Sequence, residues 1–162
     1  MGKYRYCLNN PECTKEFWEK AKQNQWKKKK SELKEKLKTL SDYKKELQTV
    51  FNAYIRLRDS HLPCISCGRH HTGQYHAGHY RSVGSNPQLR FNEDNVHKQC
   101  APCNNHKSGN PIEYRINLIK KIGQERVEFL ESDHDPKHYT KLELIELKVI
   151  YKDKIRKLKK NT

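Results

Sequence analysis

Apolar residues between Leu33 and Tyr54 recur in alternating steps of three and four. Leu33, Leu37, Leu40, Leu47, Phe51 and Tyr54 hold this register, and Lys44 fills its one polar slot. Such spacing puts apolar side chains on one stripe of a helix. It fits a heptad seam between two helices, and equally an amphipathic helix lying on the body of its own chain. Ser41-Asp42 can restart a helix, so a break near residue 40 is compatible with the pattern. Upstream, Thr14 is a candidate cap for a helix beginning KEFWEKAKQ. Downstream, Pro63 stops the run and holds Leu62 extended.

The helical signal returns after residue 110. Pro111 suits an early helical position, Ile112, Ile116, Ile119 and Ile122 recur at helical spacing, and Gly123 ends the run. ERVEFLES predicts another short helix. Thr140 and Glu143 form a capping box for a last helix. Its apolar stripe reads as Leu142, Ile145, Val149 or Ile150, Ile155 and Leu158.

Between these helical parts the pattern changes. Residues 61–110 hold four of the six cysteines, seven of the nine histidines and five of the seven glycines. Residues 74–80 and 96–99 read as short strands. Residues 81–90, with Gly84 and Asn86-Pro87, read as a loop. A short helix is expected at the second cysteine pair, since NNHK has no strand pattern. The predicted class is therefore α+β, mostly α. Residues 1–40 form a basic N-terminal helical extension and residues 41–162 a zinc-stabilised domain with C-terminal helices.

Charged and apolar residues each make up 33% of the 162 residues. Such a composition gives a small core, which a metal can staple. The formal net charge is +15, of which residues 1–60 carry +8, residues 61–110 +3 and residues 111–162 +4. A field of that sign, with a lysine run at 27–30, favours a polyanionic partner, nucleic acid above all. MGKYRYCLNN lacks the apolar run of a secretory signal, and nothing resembles a membrane span. A cytoplasmic protein is expected, with no membrane partner. In that compartment paired Cys-x-x-Cys motifs point to zinc rather than disulfides.

Cys64/Cys67 and Cys100/Cys103 are two such pairs. Two intervening residues let both thiolates of a pair converge on one ion, and two pairs complete a tetrahedral Zn²⁺ site. The 32 residues between the pairs can carry their own hairpin. A four-sulfur site has no open position, so this zinc is structural. Cys7 and Cys13 are either ordinary thiols or half of a zinc knuckle completed from elsewhere.

Within the clamp stand His76-Ala-Gly-His79, Asn95 in EDNVHKQC, and Cys103-Asn104-Asn105-His106-Lys107. This order resembles the HNH (ββα-metal) nuclease signature. RLRDSHLPCISCGR, HAGHYRS, LRFNEDNVHKQC, CNNHKSGNPIEYRINLI and KIGQERVEFLE are together similar to the NinG (Rap) recombination proteins of lambdoid phages. The resemblance implies a small zinc-clamped ββα-metal core flanked by long basic helices. It implies a DNA endonuclease acting on Holliday junctions and D-loops, inside the host cell, beside phage or host recombination proteins. His79 is then the general base, Asn95 holds the loop that carries it, and Asn104 binds a catalytic Mg²⁺ or Mn²⁺. Relatives of this class often place a metal ligand directly before the base. Here that position is Gly78, so His76 becomes the second ligand, with His97 and His106 as alternatives.

A neutral histidine suits proton abstraction near pH 7, and a divalent cation suits the charge of phosphodiester hydrolysis. Arg81, Arg90, Lys98, Lys107 and Arg115 surround this site and are suited to phosphate contact. A homodimer through the 33–54 helix would supply two sites for a symmetric junction. A non-catalytic, zinc-containing nucleic-acid-binding module is the competing expectation.

Overall fold

The computed structural model describes residues 10–160. Cys7 lies outside these residues. The chain divides into two units, with the boundary between Thr39 and Leu40. The first holds α1 (Pro11–Lys36), and none of its side chains is buried. Asn10, not Thr14, is the cap: its side chain accepts from Glu12 N at 2.9 Å and Cys13 N at 3.4 Å. Pro11 follows as the first helical residue, where its missing N–H costs nothing. Thr14 lies inside the first turn, its hydroxyl donating to Asn10 O.

The second unit holds α2 (Leu40–Arg58), β1 (Tyr75–His79), β2 (Val96–Cys100), α3 (Pro111–Ile122), α4 (Gln124–Glu131) and α5 (Lys141–Lys160). A single 3₁₀ turn spans Pro87–Leu89 and a single π-type turn Pro102–His106. The two strands pair antiparallel, with Tyr75 opposite Cys100 and His79 opposite Val96. Alternation then puts Tyr75, Ala77, His79, Val96, Lys98 and Cys100 on one face, and His76, Gly78, His97 and Gln99 on the other.

The first face meets a cluster built on α2 and α5, including Leu47, Phe51, Ile55, Leu144 and Tyr151. A second cluster joins Ile65 and Leu89 to Tyr114, Leu118, Val127 and Leu130 of α3 and α4. Tyr114 ties this cluster to the hairpin, its hydroxyl donating to Gly78 O at 3.0 Å.

The predicted 33–54 stripe is split. α1 ends at Lys36 and α2 starts at Leu40. Leu33, Leu37 and Leu40 are exposed, whereas Leu47 and Phe51 are buried among their own chain's residues. A second copy cannot use that buried half without displacing α5. On α3 and α5 part of each predicted stripe holds, since Ile119 and Ile122 pack against the second cluster and Ile155 and Leu158 against the first; the rest is corrected. Ile112, Ile116, Leu142, Ile145, Val149 and Ile150 are exposed, and the buried faces centre on Tyr114 with Leu118 and on Leu144 with Tyr151. The reason is aromatic packing. The Tyr151 ring meets Phe51 edge-on at 4.8 Å and its hydroxyl donates to Phe91 O at 3.2 Å. A ring that also satisfies its polar tip buries more than an isoleucine can.

Local signals hold elsewhere. Thr140 N donates to Glu143 Oε2 at 2.7 Å, and Glu143 N returns a bond to Thr140 Oγ1 at 3.2 Å, which is the capping box. Gly123 closes α3 at φ +87°. Among the described residues no helix is long and apolar enough to cross a membrane.

Candidate active site and metal centre

The first cysteine pair sits on a tight turn. Gly68 N donates to Cys64 O at 2.9 Å, and Gly68 takes φ +66°, a conformation that suits glycine. The second pair spans the end of β2 and the π-type turn. The sulfurs of Cys64, Cys67, Cys100 and Cys103 all lie within 4.8 Å of one another, with Cys67 and Cys100 at 4.0 Å. A tetrahedral zinc with sulfurs about 2.3 Å away has S···S edges of about 3.8 Å. The four thiols therefore fit one metal ion such as zinc.

Their electrostatics support that fit. Burial, then Cys100 and Cys64, pushes the Cys103 thiol up to about 12. Burial also raises Cys67, but a contact from His71 Nε2 at 3.2 Å and the Arg69 backbone bring it down to about 6. A cation in the middle removes the mutual repulsion of such thiolates.

A separate groove of about 470 Å³ opens beside the hairpin, lined by Gln48, Asn52, Ala77, His79, Arg90 and Asn104 among others. The structure thus brings His79, Arg90 and Asn104 together. His79 Nε2 lies 3.0 Å from Arg90 O. A carbonyl only accepts, so Nε2 carries the proton and Nδ1 keeps its lone pair. Burial, and with it the Arg90 charge, lowers the His79 pKa against the opposing pull of the Arg90 carbonyl. His79 is neutral near pH 7. Arg90 is itself held, its Nε donating to Gln48 Oε1 at 2.7 Å, and Gln48 Nε2 donates on to Asn52 at 2.7 Å. Nothing in the sequence pattern singled out Gln48 or Asn52.

Asn95 is fully buried and closes the loop between the strands. It accepts from Arg81 N at 2.7 Å and donates to Arg81 O at 3.0 Å and Leu89 O at 3.2 Å. Leu89 precedes Arg90, so these bonds fix the carbonyl that orients His79.

Three expected site residues stand elsewhere. His76 is on the opposite face of β1, paired with Gln99, and does not line the groove. Residues three apart on a strand face opposite ways, so parity alone separates it from His79. Position 78 cannot carry a ligand in its place. A Cβ there would strike the Gln99 amide and lie 3.0 Å from Gln99 Cβ. Lys98 is 6% exposed, its Nζ donating to Ser60 O at 2.8 Å and sitting over the Tyr75 ring, so it is not a free phosphate contact. Arg115 pairs with Glu131 through bonds of 2.7 and 3.0 Å. Lys107 is exposed beside the π-type turn, and Arg81 Nε is buried with no protein partner among the described residues.

His97 belongs to a structural network that the sequence did not reveal. Its Nε2 donates to Asp94 O at 3.0 Å, and Nδ1 faces Arg58 Nη2 and Lys121 Nζ, each at 2.9 Å. Both neighbours only donate, so the ring is neutral, and burial lowers its pKa. Asp59 underlies it, bonded to Arg58 at 2.8 and 3.0 Å, Lys121 at 3.1 Å and Lys98 N at 3.1 Å. Burial raises the Asp59 carboxyl, but the Arg58 and Lys121 cations hold it far below the usual carboxylate range.

Fold and site together define a mostly helical α+β protein, built on a two-stranded hairpin beside a four-cysteine cluster of metal-binding type. A family profile described as "Bacteriophage Lambda NinG protein" matches residues 7–161. The chain belongs to this phage NinG family. "Protein ninG" of Escherichia phage lambda is 50% identical over 123 residues, covering 76% of this chain and 60% of that protein. "Protein ninG" of Salmonella phage P22 is 48% identical over 123 residues, covering 76% of this chain and 61% of its own length. The matched segment thus spans about 60% of the length of these relatives. No solved structure matches the chain.

Proposed function

We propose that this chain is a metal-dependent, structure-selective DNA endonuclease that cuts branched recombination intermediates such as Holliday junctions and D-loops. The observation that carries the reading is His79. It is neutral, oriented by Arg90 O, and lines an open groove together with Asn104 and Arg90. Support also comes from the order of elements, a hairpin followed by one helical turn, and from the family's place among phage proteins.

In this reading a water attacks phosphorus as its proton passes to His79 Nδ1, and the bond to the leaving oxygen breaks. The Arg90 guanidinium, braced by Gln48, holds the phosphate. Lys107 and Arg81 contact the backbone on either side. Asn95 keeps the Arg90 carbonyl in place under His79.

A Mg²⁺ or Mn²⁺ ion would stabilise charge on the phosphate and the leaving oxygen. The groove's lining offers no carboxylate, and the cysteine cluster is the only ligand group among the described residues with metal-binding spacing. Among the described residues no carboxylate set of the kind magnesium prefers faces the groove. Asn104 would supply one amide oxygen to such an ion, and its other ligands would have to come from the DNA phosphate and water. The missing carboxylate is also what favours the second reading, a non-catalytic zinc-containing module that binds nucleic acid. Incubation with duplex, single-stranded, flap, D-loop and four-way DNA in Mg²⁺ or Mn²⁺ separates them. Cleavage concentrated on branched forms supports the nuclease. Salt-sensitive binding with no product under either ion supports the module.

A further inference from the structure

Both tryptophans of the chain, Trp18 and Trp26, lie on α1. They are 65% and 63% exposed. Two large exposed aromatics placed close together on one helix form the kind of apolar surface that marks an interaction site. The two stand eight residues apart, about 12 Å along the axis and within about 80° around it. Lys22 lies between them, one turn from each. The helix carries nine lysines against five glutamates, and residues 20–31 hold six lysines and no acidic residue. Lys30 Nζ already sits 5.0 Å from the centre of the Trp26 ring. Like charges three and four residues apart weaken a helix in isolation. A polyanion relieves that repulsion, whereas an acid-free apolar partner does not.

We propose that α1 binds single-stranded DNA, with unpaired bases stacking on Trp18 and Trp26 and the phosphates between them held by Lys22 and the lysines at 27–30. Exposed aromatics interleaved with lysines are what a single strand requires, because every unpaired base offers a face. Duplex bases are already stacked and leave the indoles uncovered. The inference deepens the proposed function, since branched DNA is where unpaired bases occur. It does not depend on the groove, because α1 belongs to the other unit.

The test uses the full chain. Since both tryptophans lie on α1, tryptophan fluorescence excited selectively over the tyrosines reports on this helix alone. Titration with a thymidine 20-mer at about 50 mM salt should quench it far more than the same length of duplex. The apparent affinity should fall steeply by about 200 mM salt. Trp26→Ala should weaken single-strand binding about tenfold, with Trp26→Tyr restoring most of the loss. Neither substitution touches a core, and circular dichroism checks the helix. Equal quenching by duplex and single strand, or unchanged affinity of a Trp18→Ala/Trp26→Ala double variant for a fluorescein-labelled strand read by anisotropy, overturns the proposal. So does binding to a protein partner with no response to DNA. His79→Ala separates the two ideas. It should keep full quenching while losing cleavage, so failure of one reading leaves the other standing.

Discussion

Replacing Asn95 by Asp probes the hinge between fold and chemistry. The two side chains are nearly the same shape, so packing is preserved. Asp keeps an acceptor for Arg81 N but has no donor for Arg81 O or Leu89 O, now 3.0 and 3.2 Å from an oxygen. Each lost bond is worth about 1 kcal/mol, and a carboxylate forced against two carbonyls in a buried site adds desolvation and repulsion. The expected loss is about 3 kcal/mol, or about 10 °C in thermal midpoint for a unit of this size. The functional loss should be larger than the stability loss. Arg90 O moves with Leu89, His79 loses its orientation, and a misplacement of about 1 Å costs roughly 100-fold in rate. Calorimetry and single-turnover cleavage of a four-way junction, both well below the variant's midpoint, measure the two effects. A midpoint within about 2 °C of wild type, or a folded variant with unchanged rate, refutes the role given to Asn95.

Gly78→Ala should destabilise by about 1–3 kcal/mol, read by urea denaturation, because Gln99 is fixed by Ser66 and Gly109 and cannot yield to a new Cβ. Stability should fall with pH in two stages. His79 and His97 have lowered pKa values in the fold, so their contribution is complete above about 6.5 and is lost as pH drops below it. Asp59 is also lowered, so its contribution disappears only in the acid range below about 4. Midpoints measured from pH 8 to 3 check both signs. The purified chain should carry about one zinc, and chelation or Cys103→Ala should unfold the hairpin region, seen as loss of amide protection along β1 and β2.

What could be read ahead of the structure was local. Pro111, Gly123 and the Thr140/Glu143 box act within a turn or two, and the structure places them as helix start, stop and cap. The cysteine pairs were equally legible, since their spacing is itself the geometry of a metal site. What failed was tertiary. Whether Leu47 meets a second chain or its own α5 is decided by packing across about a hundred residues of sequence. Tyr114 and Tyr151 centre buried faces whose edges alone, at Ile119, Ile122 and Ile155, were caught by isoleucine periodicity, because a tyrosine reads as half polar until its hydroxyl has a partner. Lys98 looked like a phosphate contact and is enclosed by Ser60 and Tyr75. The Asp59 network joins α2, β2 and α3, and no short motif could announce it. Strand parity alone already puts His76 on the face opposite His79, where its Nε2 is buried without a protein partner among the described residues.

The central claim is that His79 acts as the base in the groove. Wild type, His79→Ala and His76→Ala should be compared in single-turnover cleavage of a four-way junction with Mg²⁺, after zinc content and folding are matched. The account predicts loss of cleavage by at least about 100-fold in His79→Ala and near wild-type cleavage in His76→Ala. Equal cleavage by wild type and a folded His79→Ala contradicts it.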